Sequence, residues 1–85
     1  MYYVYILECF DKTLYIGSTN DIKKRVEAHN VSKTAAKYTR ARRPVVLKYS
    51  ESFETKSEAL KREVLLKKLS RSEKLNLITG QDLQS

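Results

Sequence analysis

The chain has 85 residues, 41% of them hydrophobic, and carries 17 Lys and Arg against 10 Asp and Glu, a formal net charge of +7. That length holds one domain with a small core. With one cysteine and one histidine, an internal disulfide and a Cys/His zinc site are excluded, and no apolar run nears the roughly 20 residues of a membrane span.

Residues 2–8 alternate, with Val4 and Ile6 on one face and Tyr3, Tyr5 and Leu7 on the other, the period of a strand. "ECFDKT" supplies turn residues, and Leu14 to Gly17 forms a second short strand of an antiparallel hairpin. Its pleat puts Leu14 and Ile16 with Val4 and Ile6 on an aliphatic core face. Tyr15 and Gly17 then share the opposite, half-buried face with Tyr3 and Tyr5. "STND" at 18–21 is rich in capping oxygens and opens a helix to about His29. The basic stretch "SKTAAKYTRARR" holds a short helix before Pro44, which breaks the pattern. Residues 45–53 read as a third strand, 55–69 as a helix with the capping-box start "TKSE", and 70–78 as another, opening S-x-x-E. Residues 79–85 read as a flexible tail.

The sum is one domain over residues 1–78 in ββααβαα order. Its class is α+β, a three-stranded, mainly antiparallel sheet flanked by helices. Strand order is not legible in one sequence. The positive charge suits a polyanion, nucleic acid first and an anionic membrane surface second, with plain solubility as the bland alternative. The N-terminus carries no secretory pattern, which fits a cytoplasmic protein that has no membrane or disulfide partner.

Two helical wheels single out chemistry. From Ile22, Val26 lies about 40° away, His29 about −20° and Arg25 about −60°, so Arg25 and His29 edge the sheet-facing side. An arginine turned there needs a partner. Either it snorkels to a carbonyl beside a satisfied core histidine, or both belong to a site. From Leu60, Glu63 lies about −60°, between Leu60 and Val64 on one side and Ala59 and Leu66 on the other. Lys56, Lys67 and Ser70 share its stripe. Glu63 either pairs with Lys67 at i+4, which the wheel by itself favours, or holds a hard divalent cation. A carboxylate, an arginine, a histidine and two or three tyrosines on one side of a sheet suit phosphodiester hydrolysis. Lys37, Arg40, Arg42 and Arg43 around Tyr38 could grip phosphates and stack a base, or form a solvated face. Cys9, in the hairpin turn with no histidine near it in sequence, does not read as a catalytic thiol.

"YVY" at 3–5, "YIG" at 15–17, Arg25, His29 and Glu63 in "EALKRE" resemble, in order and spacing, the GIY-YIG nuclease family over about residues 2–70. The similarity is greatest to its short, stand-alone bacterial members. The resemblance implies one Mg²⁺ or Mn²⁺ on Glu63, with Arg25 on the scissile phosphate. It also implies Tyr5 as general base assisted by Tyr15 and His29, with Gly17 allowing close approach of a phosphate or a helix to the backbone. Two positions depart from the pattern. Tyr3 replaces the first-motif glycine, and the family's asparagine after the glutamate has no clear counterpart, Asn76 lying thirteen residues on. The implied activity is a metal-dependent endonuclease on DNA, structured, damaged or single-stranded, in repair or recombination. The alternatives are a catalytically weak nucleic-acid-binding module and, from another class, a protein-interaction adaptor.

Overall fold

The computed structural model describes residues 1–31 and 42–84, the last four by backbone alone. The alternating "YYVYILE" forms strand β1, Tyr2–Glu8, and "LYIGST" forms β2, Leu14–Thr19. They pair antiparallel with Tyr5 opposite Gly17 and Leu7 opposite Tyr15. The connecting turn is closed by backbone bonds from Cys9 N to Thr13 O and from Lys12 N to Cys9 O, both 2.9 Å, with Lys12 in the left-handed region at φ 72°. Strand β3, Val46–Phe53, pairs antiparallel with the other edge of β1, so the sheet order is β2-β1-β3. A register shift opposite Ile6 and Leu7 interrupts that second ladder.

Helix α1 runs Ile22–Val31. Of the four residues in "STND", Asp21 makes the cap: its carboxylate accepts from Lys24 N at 3.1 Å, and its carbonyl accepts from Arg25 N at 3.0 Å. Thr19 supports the turn, its hydroxyl accepting from Asp21 N at 3.1 Å. Helix α2 runs Lys56–Lys67 behind the expected capping box. Thr55 Oγ1 accepts from Glu58 N at 3.2 Å and donates to the Glu58 carboxylate at 2.9 Å. Helix α3 runs Arg71–Gln84 from the second box, with Ser70 Oγ accepting from Glu73 N and Glu73 Oε1 from Ser70 N. It continues through Gly80 and past Ile78, where the sequence reading ended it and began a tail. A Cβ at that glycine would meet nothing within 4 Å, so no contact bars the helix there. The basic helix expected within residues 32–41 lies outside the described residues.

The sheet separates two apolar clusters. Val4, Ile6 and Ile16 pack with Ala59 and Leu66 of α2 and Ile78 of α3. On the other face Tyr5, Leu7, Cys9 and Val45 pack with Tyr15 and with Val26 of α1. The face that the sequence placed as half-buried is therefore a second small core, and Tyr5 is 1% exposed. Leu60 and Val64, the reference stripe of the α2 wheel, face outward instead, while Ala59 and Leu66 are buried. Two polar devices fix the layers. Arg62 of α2 grips Glu51 of β3 in a bidentate pair, Nε and one Nη donating at 2.9 and 3.0 Å, and the Tyr49 hydroxyl donates to the same carboxylate. Burial raises Glu51, yet the Arg62 and Tyr49 bonds prevail and hold its pKa below the ordinary value; burial and that carboxylate push Tyr49 up to about 12. The Asn30 amide, near the end of α1, pairs with the backbone of Val45 just before β3, donating at 3.1 Å and accepting at 2.7 Å.

Candidate active site

The site is built from Tyr5 outward. As the cross-strand partner of Gly17, its side chain lies over the β2 backbone. A Cβ added at Gly17 would collide with the Tyr5 hydroxyl and lie 2.7 Å from Cζ, closer than real side chains pack. The glycine of "YIG" thus makes room for the phenol of "YVY". The sequence assigned that room to a phosphate or a helix; in the structure it is filled by a residue of this chain. The sharp aromatic–glycine pairing depends on strand register, which periodicity does not give.

Beyond the glycine the Tyr5 hydroxyl meets His29 of α1, with the oxygen 3.1 Å from Nε2. His29 is fully buried, and its ring is edge-on to both Tyr5 and Tyr15, with centroids 6.1 and 5.1 Å away. Burial lowers its pKa below the ordinary 6.5, and the charges of Arg25 and Arg43 lower it further. The imidazole is therefore neutral at pH 7 and one ring nitrogen can accept a proton. Burial also raises the Tyr5 phenol above its ordinary 10.0. The Arg25 guanidinium opposes that rise, while Tyr15 and Glu63 add to it. Arg25 of α1, Tyr15 of β2 and Glu63 of α2 thus all act electrostatically on that hydroxyl.

Arg25 Nε is buried and has no hydrogen-bond partner among the described residues. A buried unsatisfied N–H of a cation is costly, so this nitrogen is the part of Arg25 that an incoming acceptor would satisfy. Glu63 is mostly shielded, its side chain 17% exposed, and Lys67 Nζ stands 2.7 Å from its Oε2. The i+4 ion pair of the sequence reading is present, on a carboxylate that also acts on Tyr5.

Arg42 and Arg43, named in the sequence as phosphate contacts, are engaged within the protein. Arg42 bonds Asp11 of the hairpin turn at 3.0 Å, and Arg43 Nε donates to the His29 carbonyl at 2.6 Å. Lys37, Arg40 and Tyr38 lie outside the described residues. Asn76 is exposed on α3. Cys9 is buried and burial pushes its thiol up, which does not favour a reactive thiolate. Asn30 escaped the sequence reading, because its partner Val45 is distant in the chain. Lys67 was visible as the stripe-mate of Glu63, but its distance from the carboxylate was not.

A family model described as the GIY-YIG catalytic domain matches residues 1–76. The chain belongs to the GIY-YIG family. Its similar relatives are short. A UPF0213 protein of Syntrophus aciditrophicus is 58% identical over 76 residues, 89% of this chain and 87% of that one. A UPF0213 protein of Clostridium perfringens is 52% identical over 99% of this chain and 89% of its own length. Among solved structures, the solution NMR structure of a UPF0213 protein from Bacillus halodurans is similar at 44% identity, with TM-score 0.59, covering 93% of this chain and 84% of that one. A second solution NMR structure, of a protein from E. faecalis, gives 42% identity and TM-score 0.63 over 96% and 86%. The three-stranded antiparallel GIY-YIG sheet with its flanking helices is the fold on which Tyr5, Tyr15, Arg25, His29 and Glu63 are assembled.

Among the assembled candidates, Glu63 is the carboxylate that could hold a divalent metal. No group of three His, Cys, Asp or Glu side chains that could hold a metal occurs among the described residues. A lone, partly shielded carboxylate is not a dedicated cage for zinc or calcium, but it fits Mg²⁺ or Mn²⁺. Such hard ions use one or two carboxylates, waters and substrate phosphate oxygens. No helix among the described residues is long and apolar enough to cross a membrane.

Proposed function

We propose that this GIY-YIG domain is a divalent-metal-dependent endonuclease that hydrolyses phosphodiester bonds in DNA, acting on structured, damaged or single-stranded substrates in repair or recombination. The observation that carries the reading is the Tyr5–His29 contact beside the orphaned Nε of Arg25. A phenol held against a neutral imidazole is a proton relay, and a buried guanidinium N–H without a partner is a seat for an anion.

In this mechanism the scissile phosphate lies against Arg25, which supplies the missing acceptor and offsets charge on the transferring group. With Nε2 of His29 unprotonated, Tyr5 donates its hydroxyl proton to it and turns an oxygen lone pair to the attacking water. The water gives a proton to Tyr5 as Tyr5 passes its own to His29; the hydroxide adds to phosphorus as the bond to the leaving oxygen breaks, that oxygen takes a proton from water, and the imidazolium returns its proton to solvent. Tyr15, against the imidazole edge, keeps the ring oriented. Glu63 would hold Mg²⁺ or Mn²⁺, which when bound polarises the phosphoryl oxygen. The basic surface holds the rest of the strand without sequence preference.

The test uses plasmid, branched and single-stranded DNA in Mg²⁺ or Mn²⁺, with wild type, Glu63→Gln, Arg25→Ala and Tyr5→Phe. Cleavage is expected to fall by at least about 10²-fold in each variant, the scale of lost base or electrostatic assistance. Absence of cleavage on every substrate, or cleavage indifferent to Glu63→Gln, removes the proposal. A second reading, a nucleic-acid-binding module with vestigial chemistry, is favoured by the occupied carboxylate of Glu63. It requires salt-sensitive DNA binding that survives Glu63→Gln with full affinity and needs no metal.

A further inference from the structure

One cation at the candidate site has no part in the proton relay. Lys67, in the last turn of α2, stands 2.7 Å from Glu63 Oε2, and the two differ in setting: the lysine side chain is 56% exposed, the glutamate 17%. The carboxylate is thus held by its surroundings, while the ammonium reaches it from the solvent side on a flexible stem. Lys67 also lines an open groove of about 270 Å³, together with Lys74 and with Leu14, Tyr15 and Ile16 of the edge strand β2. Tyr15 joins that groove to His29 through its ring contact. The ammonium therefore both touches the carboxylate and borders a groove that carries a second lysine and reaches Tyr15.

We propose that Lys67 is the resident counter-ion of the metal site, occupying the Glu63 carboxylate in the free protein, yielding it to the divalent cation, and turning into the Lys74 groove to hold a substrate phosphate next to the scissile one. The inference rests on the metal reading of Glu63 given above. A shielded carboxylate without a partner is unfavourable, and the lysine satisfies it while the metal is away. The ammonium and a hard cation compete for the same oxygen lone pairs and repel each other. Metal binding thus requires the exchange, and the exchange releases a cation where the phosphodiester strand must lie. Lys67 is a positioning residue in this scheme, since it acts through Glu63 and through the neighbouring phosphate.

The primary experiment titrates Mn²⁺ into the full chain without nucleic acid, with free Mn²⁺ read by its EPR signal, for wild type, Lys67→Met, Lys74→Met and Glu63→Gln. Lys67→Met is expected to tighten Mn²⁺ binding roughly two- to fivefold, the equivalent of removing one surface ion pair. Lys74→Met makes the same change in net charge without the ion pair. Its smaller effect should vanish at about 0.5 M KCl, where long-range attraction is screened, while the Lys67→Met effect persists. Unchanged or weaker Mn²⁺ binding in Lys67→Met, with Glu63→Gln still abolishing it, overturns the inference and leaves the metal reading standing. Binding that is absent, or indifferent to Glu63→Gln, overturns both. Oligonucleotide affinity tests the second half. Lys67→Met should change it little in EDTA, where the lysine is tied to Glu63, and weaken it severalfold in Mn²⁺ with an oligonucleotide that resists cleavage. Equal effects under both conditions would show that the lysine does not change partners.

Discussion

Gly17 and Tyr5 form a single steric unit, because the phenol occupies the space a Cβ would take. Gly17→Ala should therefore destabilise the fold by about 1–3 kcal/mol, as overpacking does, and displace the hydroxyl from His29. Thermal unfolding of Gly17→Ala, Tyr5→Leu and the double variant checks this: the two changes should be non-additive by more than about 0.5 kcal/mol, with the double variant less damaged than the sum. His29 gives the residue scale its pH dependence. Burial, with Arg25 and Arg43, depresses its folded pKa below the ordinary 6.5. The unfolded chain then binds a proton that the folded chain refuses. Stability is fully present above about pH 6.5 and falls as pH drops towards the folded value, by at most about 1.4 kcal/mol per pH unit. Denaturant midpoints between pH 7.5 and 5.5 should show that slope, and a folded His29→Gln should lack it. The carboxylates held low, Asp11, Glu51 and Glu73, act only below their own unfolded values near 4, so the two windows are separate.

At the scale of elements, what was legible in the sequence was local. The alternation in 2–8 and the capping boxes at Thr55 and Ser70 each depend on neighbours a few residues apart, and each matches the structure. What was not legible depends on distant partners. Helix α2 carries two apolar stripes, and a wheel does not say whether Leu60 and Val64 or Ala59 and Leu66 meet the sheet. The Arg62 clamp on Glu51 joins residues eleven apart in sequence across a loop, and the Asn30–Val45 pair joins residues fifteen apart. In the site, the candidates Tyr5, Tyr15, Arg25, His29 and Glu63 were named from spacing and resemblance, but their order of contact was not, because it follows from strand register. The clamp predicts that Arg62→Ala costs about 1–2 kcal/mol, the range of charge-assisted hydrogen bonds at a partly exposed position, measured by chemical denaturation. Asn30→Ala should cost about as much by leaving Val45 N and O without their partner. It should also lower cleavage more than Arg62→Ala does, because Asn30 adjoins His29.

Over the whole molecule, a net charge of +7 acts through many weak contacts. DNA affinity should fall linearly on a log–log plot against salt, with a slope of about −0.7 to −0.9 per phosphate neutralised, and Lys74→Met should reduce that slope by about one contact. Fluorescence anisotropy across a salt series measures it. Arg42 and Arg43 are poor choices for that series, since their loss would disturb the hairpin turn and the His29 carbonyl as well as any phosphate. The phenol lying across Gly17 has one more consequence, for the timing of order. A tyrosine on an open surface would sample several rotamers and be immobilised only when substrate arrived. Here the side chain has nowhere else to go once β1 and β2 have paired, so that freedom is surrendered during folding. On the proposed function, a nucleic-acid substrate would then meet a hydroxyl already aimed, and binding energy would remain for straining the phosphodiester instead of arresting a wandering ring.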